Sequence, residues 1–173
     1  MSKNTIIYIS LLFIFFSLPS FADGISLEGK WKFFFASENN DFSKPDYDDN
    51  KWPLIDLPNK KLMPDDIINL FASYNIELNK EQKAGYYWLR KSFYLQEIPE
   101  SKLSLFIREI MNADIVYLNG IMIGQSGNFP PNFRSAWANA RLYPLPQNAL
   151  KKGVKSNLVC NPTRYIKNYF LLQ

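Results

Sequence analysis

Hydrophobic and polar positions alternate with a period of two along much of this chain, which is the pattern of half-buried strands. Lys30-Trp31-Lys32-Phe33-Phe34-Phe35 places Trp31, Phe33 and Phe35 on one face of a first strand. From Gly85 onward the signal becomes dense. Tyr87, Leu89, Lys91, Phe93 and Leu95 alternate with Tyr86, Trp88, Arg90, Ser92 and Tyr94. Leu103, Leu105 and Ile107 alternate with Ser104, Phe106 and Arg108. Ile115 to Leu118 reads as another strand, and Ile121-Met122-Ile123 as its return. Between them stands Asn119-Gly120, a strong short hairpin signal because both residues tolerate positive φ. Arg141 to Leu145 predicts a further strand, and Leu158 to Cys160 opens the last one.

The segments between these strands read as turns and loops. Glu38 to Lys51 is polar and rich in Asp and Asn, and Trp52 to Leu57 is a short apolar run closed by Pro58. Residues 59–84 form a long connection with one short helix. Pro64-Asp65-Asp66 suits a helix start, and Ile67, Leu70, Phe71 and Tyr74 fall on one helical face. The total is about eight strands separated by short turns, with no intervening helices and no repeat of 20–50 residues. That predicts an all-β fold, an antiparallel β-sandwich or jelly roll with one short helix.

The amino terminus predicts a compartment. Lys3 is followed by an apolar run from Ile6 to Phe16, broken only by Ser10. Ser20-Phe21-Ala22 puts small residues where a signal peptidase reads. Residues 1–22 are therefore expected to be a secretory signal peptide, and the protein periplasmic or secreted. The run falls short of the ~20 apolar residues a membrane span needs, and no later stretch is long and apolar enough, so no transmembrane segment is expected in the mature chain.

Composition narrows the chemistry. The chain of 173 residues has no histidine, which removes Ser-His-Asp and Cys-His catalysis and histidine metal ligation. Cys160 is the single cysteine, so no internal disulfide forms, and it reads as a strand residue. The formal charge of +4 is unevenly placed. No acidic residue follows Asp114, whereas Arg134, Arg141, Lys151, Lys152, Lys155, Arg164 and Lys167 do. A basic end of this kind either faces an anionic partner, such as lipid headgroups or an acidic glycan, or is a solvated face with a loose tail. Nucleic acid is not an expected partner, because no basic helix or stripe is present.

Five segments, taken in order, resemble the sugar-binding domain of glycoside hydrolase family 2. Leu27-Glu28-Gly29-Lys30-Trp31-Lys32-Phe33 looks like its opening strand. Tyr47 to Pro58 is similar to its D-D-x-x-W-x-x-I-x-L-P stretch, and Gly85 to Phe93 to its aromatic-arginine strand. Ala113 to Gly120, followed by Ile123-Gly124, resembles its A-x-V-Y-L-N-G hairpin. Leu150 through Gly153 to Asn157-Leu158-Val159 resembles its closing strand. The resemblance runs roughly over residues 26–160 and implies a galactose-binding-like jelly roll over residues 23–160. Extracellular sensor domains of bacterial signalling proteins share that fold, and the Gly127 to Trp137 loop is closer to that group. The family's catalytic carboxylates lie in a separate barrel, for which no segment is present here. Cys160-Asn161-Pro162 is expected to end the closing strand, because proline cannot donate to a ladder. Thr163 to Gln173 matches nothing in the family, so residues 161–173 read as an atypical tail, and the chain as a truncated or frame-disrupted remnant of a longer protein.

The expected function is non-catalytic recognition of a carbohydrate or small-molecule ligand. Sugar sites combine aromatic platforms with planar polar groups. The 125–137 loop offers Phe129, Phe133 and Trp137 beside Gln125, Asn128, Asn132 and Arg134. The alternative is that these aromatics close the edge of the core. Trp31, Trp52 and Trp88 lie within alternating segments and read as core. Arg90 reads as half of a structural ion pair. Glu109 and Asp114 sit at the ends of neighbouring predicted strands but read as strand-end carboxylates rather than a glycosidase pair. No cofactor is expected. Asp46, Asp48 and Asp49 cluster hard oxygens, and some domains of this fold carry a structural calcium, yet Asp48 equally suits a cap for the turn before Trp52. Two other readings stay open: a glycoside hydrolase fragment lacking its barrel, and the remnant of a periplasmic sensor domain.

Overall fold

The computed structural model describes residues 24–36, 41–57, 69, 72–73, 86–108, 110–137, 139–153, 155–166 and 170–172, with backbone alone over the last two spans. Residues 1–22, where a signal peptide is expected, lie outside them. So does most of the helix expected from Pro64 to Tyr74, of which Asn69, Ala72 and Ser73 are described and helical.

Ten strands are present among the described residues: β1 Ile25–Ser26, β2 Gly29–Ala36, β3 Leu54–Leu57, β4 Tyr86–Tyr94, β5 Ser104–Ile107, β6 Ile110–Leu118, β7 Ile121–Ser126, β8 Arg141–Pro144, β9 Lys155–Ile166 and β10 Phe170–Leu172. They form two sheets in the orders β1-β10-β5-β8 and β3-β2-β4-β9-β6-β7. Every pairing within them is antiparallel. The expected all-β sandwich is the observed fold.

Period-two alternation becomes burial in the way the sequence implies. Trp31, Phe33 and Phe35 of β2 enter the core, joined by Leu89 and Phe93 of β4 and by Val116 and Leu118 of β6. The facing sheet contributes Leu105 and Ile107 from β5 and Tyr143 from β8. Each large apolar side chain so buried contributes about 1.5–3 kcal/mol, which is why the alternation fixes the register. The Asn119-Gly120 turn takes φ values of 50° and 84°, the positive pair that matches a hairpin's twist. Asn119 Nδ2 then donates to the carbonyl of Ala149, 2.8 Å away, tying the hairpin to the turn before β9.

The larger sheet is also covered on its outer side. A second aromatic cluster gathers Trp52 and Trp88 with Phe34, Phe42, Tyr47, Tyr86 and Tyr117. Phe42 meets Trp88 edge-on at 5.3 Å and Trp52 at 5.6 Å, the quadrupole-favoured arrangement. The loop of residues 41–53 thus acts as a strap, and Arg90 anchors it. Its buried Nη2 donates to the carbonyls of Phe42 (2.6 Å) and Lys44 (2.9 Å). Its Nε faces Asp49 at 3.4 Å, too long for a well-formed hydrogen bond but close enough for an ion pair. Lys32 holds the same Asp49 at 2.5 Å. Arg90 is thus a structural residue, and Trp31, Trp52 and Trp88 are buried.

One expectation is overturned. Cys160-Asn161-Pro162 does not end the closing strand. β9 runs on to Ile166, pairing Asp114 with Pro162, Met111 with Arg164 and Ile110 with Ile166. Two local conditions admit the proline. β4 pairs with β9 no further than Cys160, so Pro162 has a neighbour on one side alone. On that side β6 bulges, with Asn112 and Ala113 opposite the single residue Thr163 and Asn112 at φ 68°. Proline is tolerated at edges and bulges, where the ladder asks for no donor. The strand break from which a truncation was inferred is therefore absent.

Close packing between the two sheets yields a test. A Cβ added at Gly124 of β7 would stand 2.1 Å from the Tyr143 ring of β8. Gly124→Ala should destabilise the chain by about 1–3 kcal/mol through overpacking, read as a lowered denaturation midpoint.

Candidate functional site

The end of the sandwich beside β7 and β8 carries an open, polar cleft of about 520 Å³. It is lined by Gln125, Ser126, Gly127, Asn128, Arg134, Ala136 and Asn139. The local backbone explains why a concavity forms there. Asn128 and Arg134 pair through both backbone bonds (2.8 and 3.2 Å), closing residues 128–134 into a small loop. Gly127 turns into it at φ 71°, and any Cβ there would meet the Arg134 carbonyl oxygen at 2.5 Å and Ala113 Cβ at 2.8 Å. Only glycine satisfies both conditions. The β6 bulge then fixes the far wall, because the Ala136 N–H donates to the Asn112 carbonyl at 2.7 Å.

Beneath the cleft lies a buried charged network that links the sheets. Arg141 Nε donates to Asp114 Oδ1 at 2.8 Å, with both side chains fully buried. The Tyr143 hydroxyl donates to Asp114 Oδ2 at 2.6 Å and shares a 2.7 Å hydrogen bond with Ser126 Oγ. Arg141 Nη1 donates to the carbonyl of Asn139. Ser126 and Asn139 both line the cleft, so the network holds its floor. Desolvation pushes the Asp114 carboxyl above the usual carboxylate range, while the Tyr143 hydroxyl and the Arg141 guanidinium draw it back. With both oxygens engaged, Asp114 is a structural group. Glu109 lies outside the described residues.

The loop residues expected to bind ligand divide into two groups. Gln125, Asn128 and Arg134 come together in the cleft. Gln125 Nε2 already donates to the Gly127 carbonyl at 3.0 Å, leaving its oxygen available. Phe129 is turned away, its half-buried ring stacked at 5.7 Å on Tyr86 of β4. Asn132, Phe133 and Trp137 are exposed and lie outside the lining, with Phe133 51% and Trp137 60% accessible. Ser126, Gly127, Ala136 and Asn139 were not anticipated. Of these, Gly127 carried a readable signal, a glycine directly after a strand.

The three aspartates considered for calcium do not form a cage. Asp49 is buried and held by Lys32 and Arg90. Asp48 Oδ1 accepts the N–H of Asn50 at 3.1 Å, capping the turn before Trp52. Among the described residues no group of three or more potential ligands converges on a point.

No family model and no curated protein matches the chain. Solved structures do. The β-glucuronidase from Ruminococcus gnavus matches with a TM-score of 0.57 and 21% identity over 81% of this chain. The same values hold for that enzyme in complex with uronic deoxynojirimycin and with D-glucuronic acid. At this identity the likeness shows the fold. The chain spans about a fifth of that enzyme, 21% of its length. Among the described residues no helix is long and apolar enough to cross a membrane.

Removing one partner of a buried pair leaves an uncompensated charge. Asp114→Ala should therefore cost about 3–5 kcal/mol in chemical denaturation. Lys30→Ala, which breaks an exposed 3.8 Å contact to Asp56, should leave the midpoint almost unmoved.

Proposed function

We propose that this chain is an exported, non-catalytic β-sandwich module that binds carbohydrate in the cleft between β7 and the 128–139 loop. The observation that carries the reading is the cleft itself. It is polar and partly preorganised, and two exposed aromatic residues adjoin its lining. Phe133 precedes Arg134 and Trp137 follows Ala136. The side-chain amides of Asn128 and Asn139, which have no partner among the described residues, can each donate and accept, as a sugar's hydroxyls require. Exposed aromatic faces suit the apolar face of a pyranose ring. The leader-like pattern of residues 3–22 supports export.

The absence of histidine from the sequence and the full engagement of Asp114 support the non-catalytic assignment. Likeness to one part of a β-glucuronidase favours a second reading, in which the module serves a glycoside hydrolase rather than acting alone. Hydrolysis of a chromogenic glycoside by the purified chain would overturn the non-catalytic assignment.

Binding is tested by thermal unfolding against a panel of mono- and oligosaccharides. A ligand of the native state raises the midpoint. One sugar class should do so, and Phe133→Ala with Trp137→Ala should weaken its binding several-fold without lowering the ligand-free midpoint. A midpoint indifferent to every sugar would count against the site.

A further inference from the structure

Among the described residues that line it, the cleft contains one charged group and no carboxylate. Its lining is amide, hydroxyl and backbone apart from the guanidinium of Arg134. Arg134 is exposed, and its side chain makes no hydrogen bond or ion pair with any described residue. None of the described residues that line the cleft supplies a counter-charge. Asp114 itself is buried and already neutralised by Arg141. The Arg134 backbone is firmly placed, because its N–H and carbonyl both pair with Asn128, and this sets its side chain out from the rim of the cleft. A guanidinium with no partner among the described residues can receive a carboxylate through two parallel N–H···O bonds.

We infer that the cleft prefers an acidic saccharide, with Arg134 receiving the carboxylate of a uronic acid and the amides of Asn128 and Asn139 receiving its ring hydroxyls. This rests on the carbohydrate-binding reading and names the ligand class of that site. It also gives a local role to one residue of the basic end of the chain. Lys151 and Lys152 are exposed but lie outside the cleft lining, with Lys152 paired to Glu97 at 3.5 Å.

The test is calorimetric titration of the purified chain with an oligogalacturonate and with a neutral oligogalactoside of equal length, at low and at physiological ionic strength. The acidic sugar should bind more tightly. Arg134→Gln should weaken it at least about tenfold and weaken the neutral sugar far less, as expected for losing a hydrogen-bonded charge. Lys151→Gln removes the same charge outside the cleft and should leave the preference intact. The Arg134 side chain is exposed and has no partner among the described residues, so the variant should match the parent's unfolding midpoint. Backbone amide shifts of Gln125, Asn128 and Asn139 should move on titration with the acidic sugar. Equal affinity for the two sugars, or equal losses in Arg134→Gln and Lys151→Gln, would overturn the acidic preference while leaving carbohydrate binding in place. Binding of neither sugar would overturn both.

Discussion

The contact between Arg141 and Asp114 joins the two sheets at one end of the sandwich, and the candidate site depends on it. Aspartate and guanidinium are both withdrawn from water, so each is tolerable there only because of the other. Part of their remaining hydrogen-bonding capacity is directed outward along the structure, while Arg141 Nη2 is buried without a partner among the described residues. Tyr143 relays from Asp114 to Ser126, and Arg141 reaches the carbonyl of Asn139. Two walls of the cleft are thereby fixed to the same buried pair.

Elsewhere the fold is held by layering. One apolar core fills the space between the sheets, and a second, aromatic layer covers the outer face of the larger sheet beneath the 41–53 strap. Arg90 and Lys32 meet Asp49 under that strap, so the sheet's outer charges are spent on the chain's own backbone and carboxylate. The face that many antiparallel sheets leave to solvent is therefore taken, at least in part. The loops at the β7–β8 end stay open to solvent, and loops over a rigid scaffold are where function is generally placed.

The parts of the fold that local alternation dictates were legible in the sequence. Trp31, Phe33 and Phe35 declared their face, and Asn119-Gly120 declared its turn. What escaped was set by contacts between distant residues. Arg141 to Leu145 reads as a strand without a declared face, and in the structure Arg141 is buried while Leu142 is 61% exposed. Nothing local reveals this, because the reason is Asp114, 27 residues earlier on another strand. Pro162 misled for the same reason. Its meaning depends on a bulge at Asn112 and on β4 having ended its pairing, neither of which lies near it in sequence. In the cleft, residue types were readable but grouping was not. Phe129 looked equivalent to Phe133 until Tyr86 claimed its ring.

The position of β9 has a consequence for how the chain acquires its structure. β9 lies inside the six-stranded sheet, between β4 and β6, yet it is nearly the last element in sequence. Until residues 155–166 emerge, β4 and β6 each present an unpaired edge, and the two halves of that sheet have no backbone bond between them. Such an intermediate offers ladder groups to any neighbouring chain. Closing the sheet requires contacts of long sequence separation, which form slowly. Folding of this domain is thus gated by its final segment, and whatever shields those two edges during synthesis decides how much of the chain reaches the native state.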